Sequence, residues 1–311
     1  MLRKVLLVGL LIILMTACEV PTGGAPQATP TTAPAALTFS DGLGREVTLD
    51  SPAQRIISLA PSNTEILFAI GAGDQVVGRD QLSDYPEATK NVTDIGPAFE
   101  ALNTEVIVSL KPDLVLAAEI NTPEQVKELE DLGITVYYLN NPHTLEELYG
   151  NLEIVAQLTG HEADAATLIE SLKERVAAVD EKIAPISSHP SVFYELDSTD
   201  PSKPFTAGKD TFITLLIERA GGSSIAAELE GYPQMSLEQI VAADPAIIIL
   251  GDSMWGVTPE AVASRPGWEN LSAVKNGQVA PFDDNLVSRP GPRLVDGLEQ
   301  LAKLLHPELF Q

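Results

Sequence analysis

Residues 161–184 read HEADAATLIESLKERVAAVDEKIA. Ala165, Leu168, Ile169, Leu172, Val176, Val179 and Ile183 recur at steps of three and four, the period of one helix face. No Gly or Pro interrupts the run before Pro185, and its Ala, Glu, Lys and Leu are strong helix formers. At 1.5 Å per residue such a helix spans roughly 36 Å, about the width of a small domain. Alone, it would be an ordinary surface helix. The chain on either side reads as two similar α/β halves, so the segment is expected to be a rod joining two lobes.

Before the rod, residues 37–49, LTFSDGLGREVTL, are two alternating runs around Asp41-Gly42-Leu43-Gly44 and predict a β-hairpin. Arg55–Leu59 is a short apolar strand broken by Pro61-Ser62. Ser62 and Glu65 have the spacing of a capping box, which would start a helix ending at Gly71 and Gly73. A strand opens at Val76-Val77. Helices follow at 104–110, 123–132 and 144–158, alternating with strands at 113–118 and 134–140. Beyond the rod the pattern restarts. A strand is expected at 191–196, a long loop to Gly208, helices at 210–220 and 236–242, and a strand at 246–250. A helix near 259–264, a strand near 278–282 and a helix at 292–305 close the chain.

Strands alternating with helices imply parallel sheets covered on both faces. The halves also share an echo. Glu105 opens EVIVSLKP before Asp113-Leu114-Val115-Leu116, and Glu238 opens EQIVAADP before Ala246-Ile247-Ile248-Ile249. The fold expected is α/β: two doubly wound lobes, 37–160 and 185–311, joined by the helix 161–184, with a ligand cleft between them.

A chain of 311 residues suits about two domains with their own cores. Its formal charge of −25 argues against nucleic acid or an anionic membrane surface as partner. The single cysteine, Cys18, rules out an intrachain disulfide and a Cys-rich metal site. It ends a secretory signal: Arg3 and Lys4, the apolar run Val5–Met15, then Met15-Thr16-Ala17-Cys18. That run is shorter than the roughly 20 residues a spanning helix needs. The tetrapeptide resembles a bacterial lipobox, with Met15 where Leu is usual. Residues 1–17 would then be removed and Cys18 lipidated. Residues 18–36, rich in Pro, Thr, Ala and Gly, would be an extended spacer.

The carboxyl ends of strands in a doubly wound lobe form a ligand crevice. Cleft candidates are therefore Ser62 and Asn63, Asp80–Tyr85, Glu119–Asn121, Asn140–His143, Asp197–Phe205, Asp252–Trp255 and Asp283–Arg289. Aromatic residues make up only 5% of the chain, so Tyr85, Phe99, Phe205, Tyr232 and Trp255 in loops or at strand ends stand out. Such rings, with a few polar groups, hold broad flat ligands. There is no GxSxG, GxGxxG, P-loop or HExxH. His143, His161, His189 and His306 have no metal-ligand spacing, and no metal site or cofactor is expected. Glu105 and Glu238 each fall in the first turn of an expected helix, behind Asn103/Thr104 and Ser236 as caps. The helix dipole accounts for that placement; their matched positions also suggest a pair of knobs presented to a two-fold partner.

Taken together, Arg55 through Glu65 (RIISLAPSNTE), Ser83-Asp84-Tyr85-Pro86 and Glu105 through Leu114 resemble the rigid-hinge, class III substrate-binding proteins of ABC importers for vitamin B12, ferric siderophores and haem. Pro204 through Lys209, Tyr232-Pro233-Gln234 and Ser236 through Val241 extend the resemblance, which covers roughly 37–306. It implies a monomeric, non-enzymatic binding lipoprotein outside the cell membrane that delivers a small molecule to a permease dimer. It makes Glu105 and Glu238 the permease-docking glutamates. Among such proteins the similarity to vitamin B12 binders is greatest: Phe99, Tyr232 and Phe205 fall where those place cleft aromatics. Trp255, Tyr85, Ser62, Asn63, Arg79 and Arg289 complete the expected ligand contacts. Leu82 and Ala118 depart from the pattern, where further aromatics would stand, so the cage is thinner. The alternative is an anionic ferric siderophore or haem, met by Arg79, Lys203, Arg289 and Arg293. From another class, the competing reading is an exported α/β enzyme.

Overall fold

The computed structural model describes residues 36–310. The expected signal sequence 1–17, the expected lipid site Cys18 and the expected spacer, except its last residue, lie outside the described residues. The hairpin is present: β1 (Leu37–Ser40) and β2 (Glu46–Leu49) pair antiparallel, with Leu37 opposite Leu49. In its turn, Asp41 Oδ1 accepts from the N–H groups of Leu43 and Arg45 at 3.0 and 2.9 Å.

Next come β3 (Ile56–Ser58), α1 (Pro61–Ala69), β4 (Val76–Arg79), β5 (Thr93–Asp94) and α2 (Thr104–Ser109). They are followed by β6 (Leu114–Ala118), α3 (Pro123–Asp131), β7 (Val136–Leu139) and α4 (Leu145–Thr159). The five strands form a wholly parallel sheet in the order β5-β4-β3-β6-β7. The chain runs outward from β3 to β5 and then returns to the other side at β6, so the sheet reverses direction between β3 and β6.

The helix α1 corrects the sequence reading. Its N-cap is Ala60, without a side-chain bond, and Pro61 occupies the first turn. Proline's fixed φ and missing N–H suit that position. Ser62 and Glu65 therefore lie inside the helix, both buried, and form no capping box.

The rod is α5 (Glu162–Ile183), entered through Gly160, which has the left-handed φ of 79° that ends α4. Beyond it lie β8 (Ser191–Glu195), α6 (Phe212–Arg219), β9 (Ser223–Ser224), α7 (Leu237–Ala243) and β10 (Ile247–Leu250). The chain continues through α8 (Pro259–Ala263), α9 (Ser272–Lys275), β11 (Val279–Pro281), α10 (Asn285–Ser288) and α11 (Leu294–Leu305). The second sheet is also wholly parallel, ordered β11-β10-β8-β9, and reverses between β8 and β10.

Strand periodicity sorts the core. Ile56, Leu114, Leu116, Val192, Tyr194, Ile247 and Ile249 point into one shared apolar layer. Leu152 and Val155 of α4, Ala165, Ile169, Leu172, Val176 and Val179 of the rod, and Leu298 and Leu301 of α11 belong to the same layer. The rod thus packs on a helix from each half. The intervening strand residues face outward: Ile57, Val115 and Ala117 against α2 and α3, and Phe193, Ile248 and Leu250 against Ile240, Val262 and Trp268. Each fully buried Val, Leu, Ile or Phe side chain among them contributes roughly 1.5–3 kcal/mol.

The echo is geometric as well. Asn103 caps α2 by accepting from Val106 N–H, and Ser236 caps α7 by accepting from Gln239 N–H. After each helix a non-glycine residue takes a left-handed φ, Lys111 at 50° and Asp244 at 41°, immediately before a proline and a buried strand.

Candidate functional site

By topology the ligand crevice of each half lies beyond the strand ends where its sheet reverses. In the first half, Asn63 follows β3 and is almost wholly buried; its amide donates to the carbonyls of Leu116 and Ala117 at 3.2 and 3.1 Å, and its Oδ1 has no partner. Past β6, Asn121 accepts from Ala118 N–H at 2.9 Å and donates to the Ala98 carbonyl at 2.9 Å. Gln125 donates to the same carbonyl at 3.1 Å. These bonds pin the loop that presents Phe99, whose ring is exposed. Asn121 stands out in the sequence only by its place after a strand and Gln125 not at all, since both are polar residues with no local periodicity to betray them.

Past β4, the buried carboxylate of Asp80 accepts from Leu82 N–H at 2.8 Å and from the Ser83 hydroxyl. Ser83 in turn meets Thr64, which donates to Ser58 at 2.8 Å. Desolvation pushes the Asp80 pKa up, against the lowering effect of the Ser83 and Leu82 bonds and of Arg289 and Arg79. This network anchors the turn that presents Leu82, Asp84 and Tyr85. Arg79, expected to contact ligand, instead binds Asp94 at 2.9 Å and the Asp80 carbonyl at 3.0 Å.

The second half presents three exposed rings. Phe205 N–H donates to the Asp197 carbonyl at 2.8 Å, and Thr206 N–H to the Pro233 carbonyl at 2.9 Å, so the loops carrying Phe205 and Tyr232 are stitched side by side. Tyr232 is 55% exposed. Desolvation first, then the negative fields of Asp284 and Glu119, raise its pKa. Trp255, 80% exposed, ends the turn after β10 and lines a cavity of about 400 Å³ with Asp197, Ser198, Thr199 and Asp252. Asp252 is buried; its Oδ2 accepts from Ser198 at 2.6 Å and its Oδ1 is unpartnered. Behind it, Glu195 is paired through both oxygens with Arg265, yet desolvation keeps its pKa raised. His143 lies elsewhere, in a first-half cavity of about 490 Å³ with Glu119, Asn140 and Asn151.

Arg289 and Arg293, from the second half, both reach Glu65 on α1. Arg293 donates to Glu65 through Nε at 2.9 Å and through Nη2, while Arg289 Nη1 meets Glu65 at 3.2 Å and Asp84 at 2.6 Å. Arg293 also lies 4.1 Å from the centroid of the Tyr85 ring. Ser62, in the first turn of α1, is buried. Arg79, Arg289 and Arg293 are thus all paired with carboxylates, whereas the five rings remain accessible.

Glu105 and Glu238 are both exposed in the first turns of α2 and α7. Its own backbone N–H, then Ser236, holds Glu238 below the usual carboxylate pKa. One turn further on, each helix exposes a valine, Val108 and Val241. Among the described residues no group of three or more His, Cys, Asp or Glu is placed to hold a metal ion.

Residues 56–286 match the model of a family described as periplasmic binding protein. An uncharacterized ABC transporter substrate-binding lipoprotein of Bacillus subtilis is 38% identical over 280 residues, 88% of this chain and 87% of that protein. The crystal structure of the periplasmic vitamin B12 binding protein BtuF of Vibrio cholerae superposes with a TM-score of 0.70 at 30% identity, covering 84% of this chain and 99% of that one. The periplasmic heme-binding protein RhuT from Roseiflexus sp. RS-1 superposes with a TM-score of 0.73 at 28% identity, covering 83% and 99%.

Proposed function

This chain belongs to the periplasmic binding protein family, and we propose that it is the substrate-binding lipoprotein of an ABC importer whose cargo is a corrinoid. The observation that carries the corrinoid reading is the pairing of the cleft arginines. Arg79, Arg289 and Arg293 have carboxylate partners, while Phe99, Tyr85, Phe205, Tyr232 and Trp255 offer exposed apolar faces. A corrinoid is a broad macrocycle fringed with neutral carboxamides, which need hydrogen-bond partners rather than counter-ions. Asp252, Asp197 and Ser198, beside Trp255, supply acceptors. Haem propionates or an anionic siderophore would have to draw an arginine from its carboxylate, and unpairing a buried charge costs several kcal/mol. Each ring–ring contact adds about 0.5–1.5 kcal/mol beyond its buried area.

In this account Phe99, Tyr232, Phe205, Trp255 and Tyr85 form the wall, and Ser62, Asn63, Arg79 and Arg289 support it from behind. Residues 1–17 are the export signal, Cys18 carries the lipid, and 18–36 tether the lobes 37–160 and 185–311 outside the membrane. Glu105 and Glu238 dock on the permease dimer. No bond is made or broken. The second reading, haem or a ferric siderophore, is favoured by the likeness to the heme-binding protein and by Lys203, an exposed lysine in the Phe205 loop. Competition separates them: cyanocobalamin should bind one-to-one and resist displacement by haemin, and preferential binding of haemin or a ferric siderophore would overturn the corrinoid reading.

A further inference from the structure

The rod ties the two halves covalently; a second tie is made by side chains. Glu65, on α1 after β3, has a side chain only 1% exposed, and its two oxygens are held by Arg289 and Arg293 from the segment between α10 and α11. These partners lie more than 220 positions away in sequence. Each arginine has a further contact on the turn presenting Tyr85: Arg289 binds Asp84 at 2.6 Å and the Leu82 carbonyl at 3.3 Å, and Arg293 stacks on the Tyr85 ring. A planar guanidinium can fork onto a carboxylate and lie flat on a ring at once, which lysine cannot do.

We propose that Glu65, Arg289 and Arg293 form a latch that fixes the spacing of the two lobes and holds Tyr85 in place as a preformed wall of the cleft. The three act as positioning residues. Arg293 covers one face of Tyr85, and the ring's remaining surface stays open to ligand. A cleft held in its binding geometry avoids the ordering cost of association. Breaking the latch lowers the fraction of molecules in that geometry, and apparent affinity falls by the same factor. The spacing role stands on the ion pairs alone; the effect on affinity rests on the binding function proposed above.

The test uses the full chain carrying Cys18→Ser, with nitroxide labels at Glu128→Cys and Glu269→Cys, exposed positions on opposite sides of the rod. Without ligand, the parent should give one narrow inter-label distance. Glu65→Gln, close in size but uncharged, should broaden it, and cyanocobalamin affinity should drop by about tenfold if the competent fraction drops to about a tenth. Arg293→Lys, which retains charge but loses the fork and the stack, should broaden it less. An unchanged distance distribution in folded Glu65→Gln overturns the latch. If that variant does not fold, Arg289→Gln decides in its place: broadening supports the latch and an unchanged distribution overturns it. Failure of the parent to bind cyanocobalamin would sink the corrinoid reading and leave the distance measurement valid.

Discussion

The unit from α2 to β6 and the unit from α7 to β10 are built alike, whereas the crevices beyond their strands are not. Each unit has a polar cap, a glutamate in the first turn, an exposed valine one turn later, a strained left-handed residue, a proline and a buried strand. Beyond β6 stand Glu119 and the Asn121 anchor of the Phe99 loop; beyond β10 stand the half-satisfied Asp252 and the open Trp255. Likeness resides in the scaffold and in the outer tips, and difference resides where ligand would lie. A two-fold partner needs matched tips; a ligand with dissimilar faces needs unmatched walls.

The sharpest way to break the likeness is to remove both tips. Glu105→Ala with Glu238→Ala should abolish most uptake through the cognate importer while leaving cargo affinity unchanged, since exposed charges set docking register and on-rate. Each single change should cause a smaller loss of similar size; a loss carried wholly by one glutamate would end the equivalence. On the ligand side, Tyr232→Ala should weaken cyanocobalamin about tenfold, the effect of roughly 1.4 kcal/mol. Calorimetric titration reads it.

The strained residues should separate the two units. Lys111→Gly relieves a left-handed φ at an exposed residue and should raise stability by up to about 1 kcal/mol. Asp244→Gly relieves similar strain but loses the carboxylate that accepts from Ser272 N–H and hydroxyl at 2.7 and 2.6 Å, so it should lower stability by about 1 kcal/mol. Urea unfolding of the pair gives the signs.

The smallest effect is a pH slope. Asp80 has its pKa raised, chiefly by desolvation, so between 3.8 and its folded pKa the native state keeps a proton that the unfolded chain has lost. Its contribution therefore falls as pH rises through the folded pKa, and Asp80→Asn should flatten that slope. Asp41 has the opposite sign. Desolvation opposes ionisation there, but the Arg45 side-chain and backbone bonds prevail and lower its pKa. Its stabilisation is present above 3.8 and is lost as pH falls through the folded value.

What was legible in the sequence was whatever repeats locally. The rod's three–four spacing, the apolar strands and the echoed Glu-to-Pro run each carry their own period, and the elements stand where that period puts them. Ser62 and Glu65 were misread because Ser-x-x-Glu fits a helix interior as well as a capping box; the signal was Pro61, which favours the first helical turn. The two-residue strands β5 and β9 are too short to have a period. The Glu65–Arg289–Arg293 contacts and the Gln125 anchor join residues that no local pattern relates. Candidate rings could be named from scarcity, but not which arginines were already paired.

Corrinoid capture is tested most directly by calorimetric titration of the full chain with cyanocobalamin, with haemin and a ferric siderophore in parallel cells. Cyanocobalamin should bind one-to-one with a Kd on the order of 1 µM or tighter, and both iron chelates more weakly. Tight binding of haemin or the siderophore with none of cyanocobalamin would contradict it.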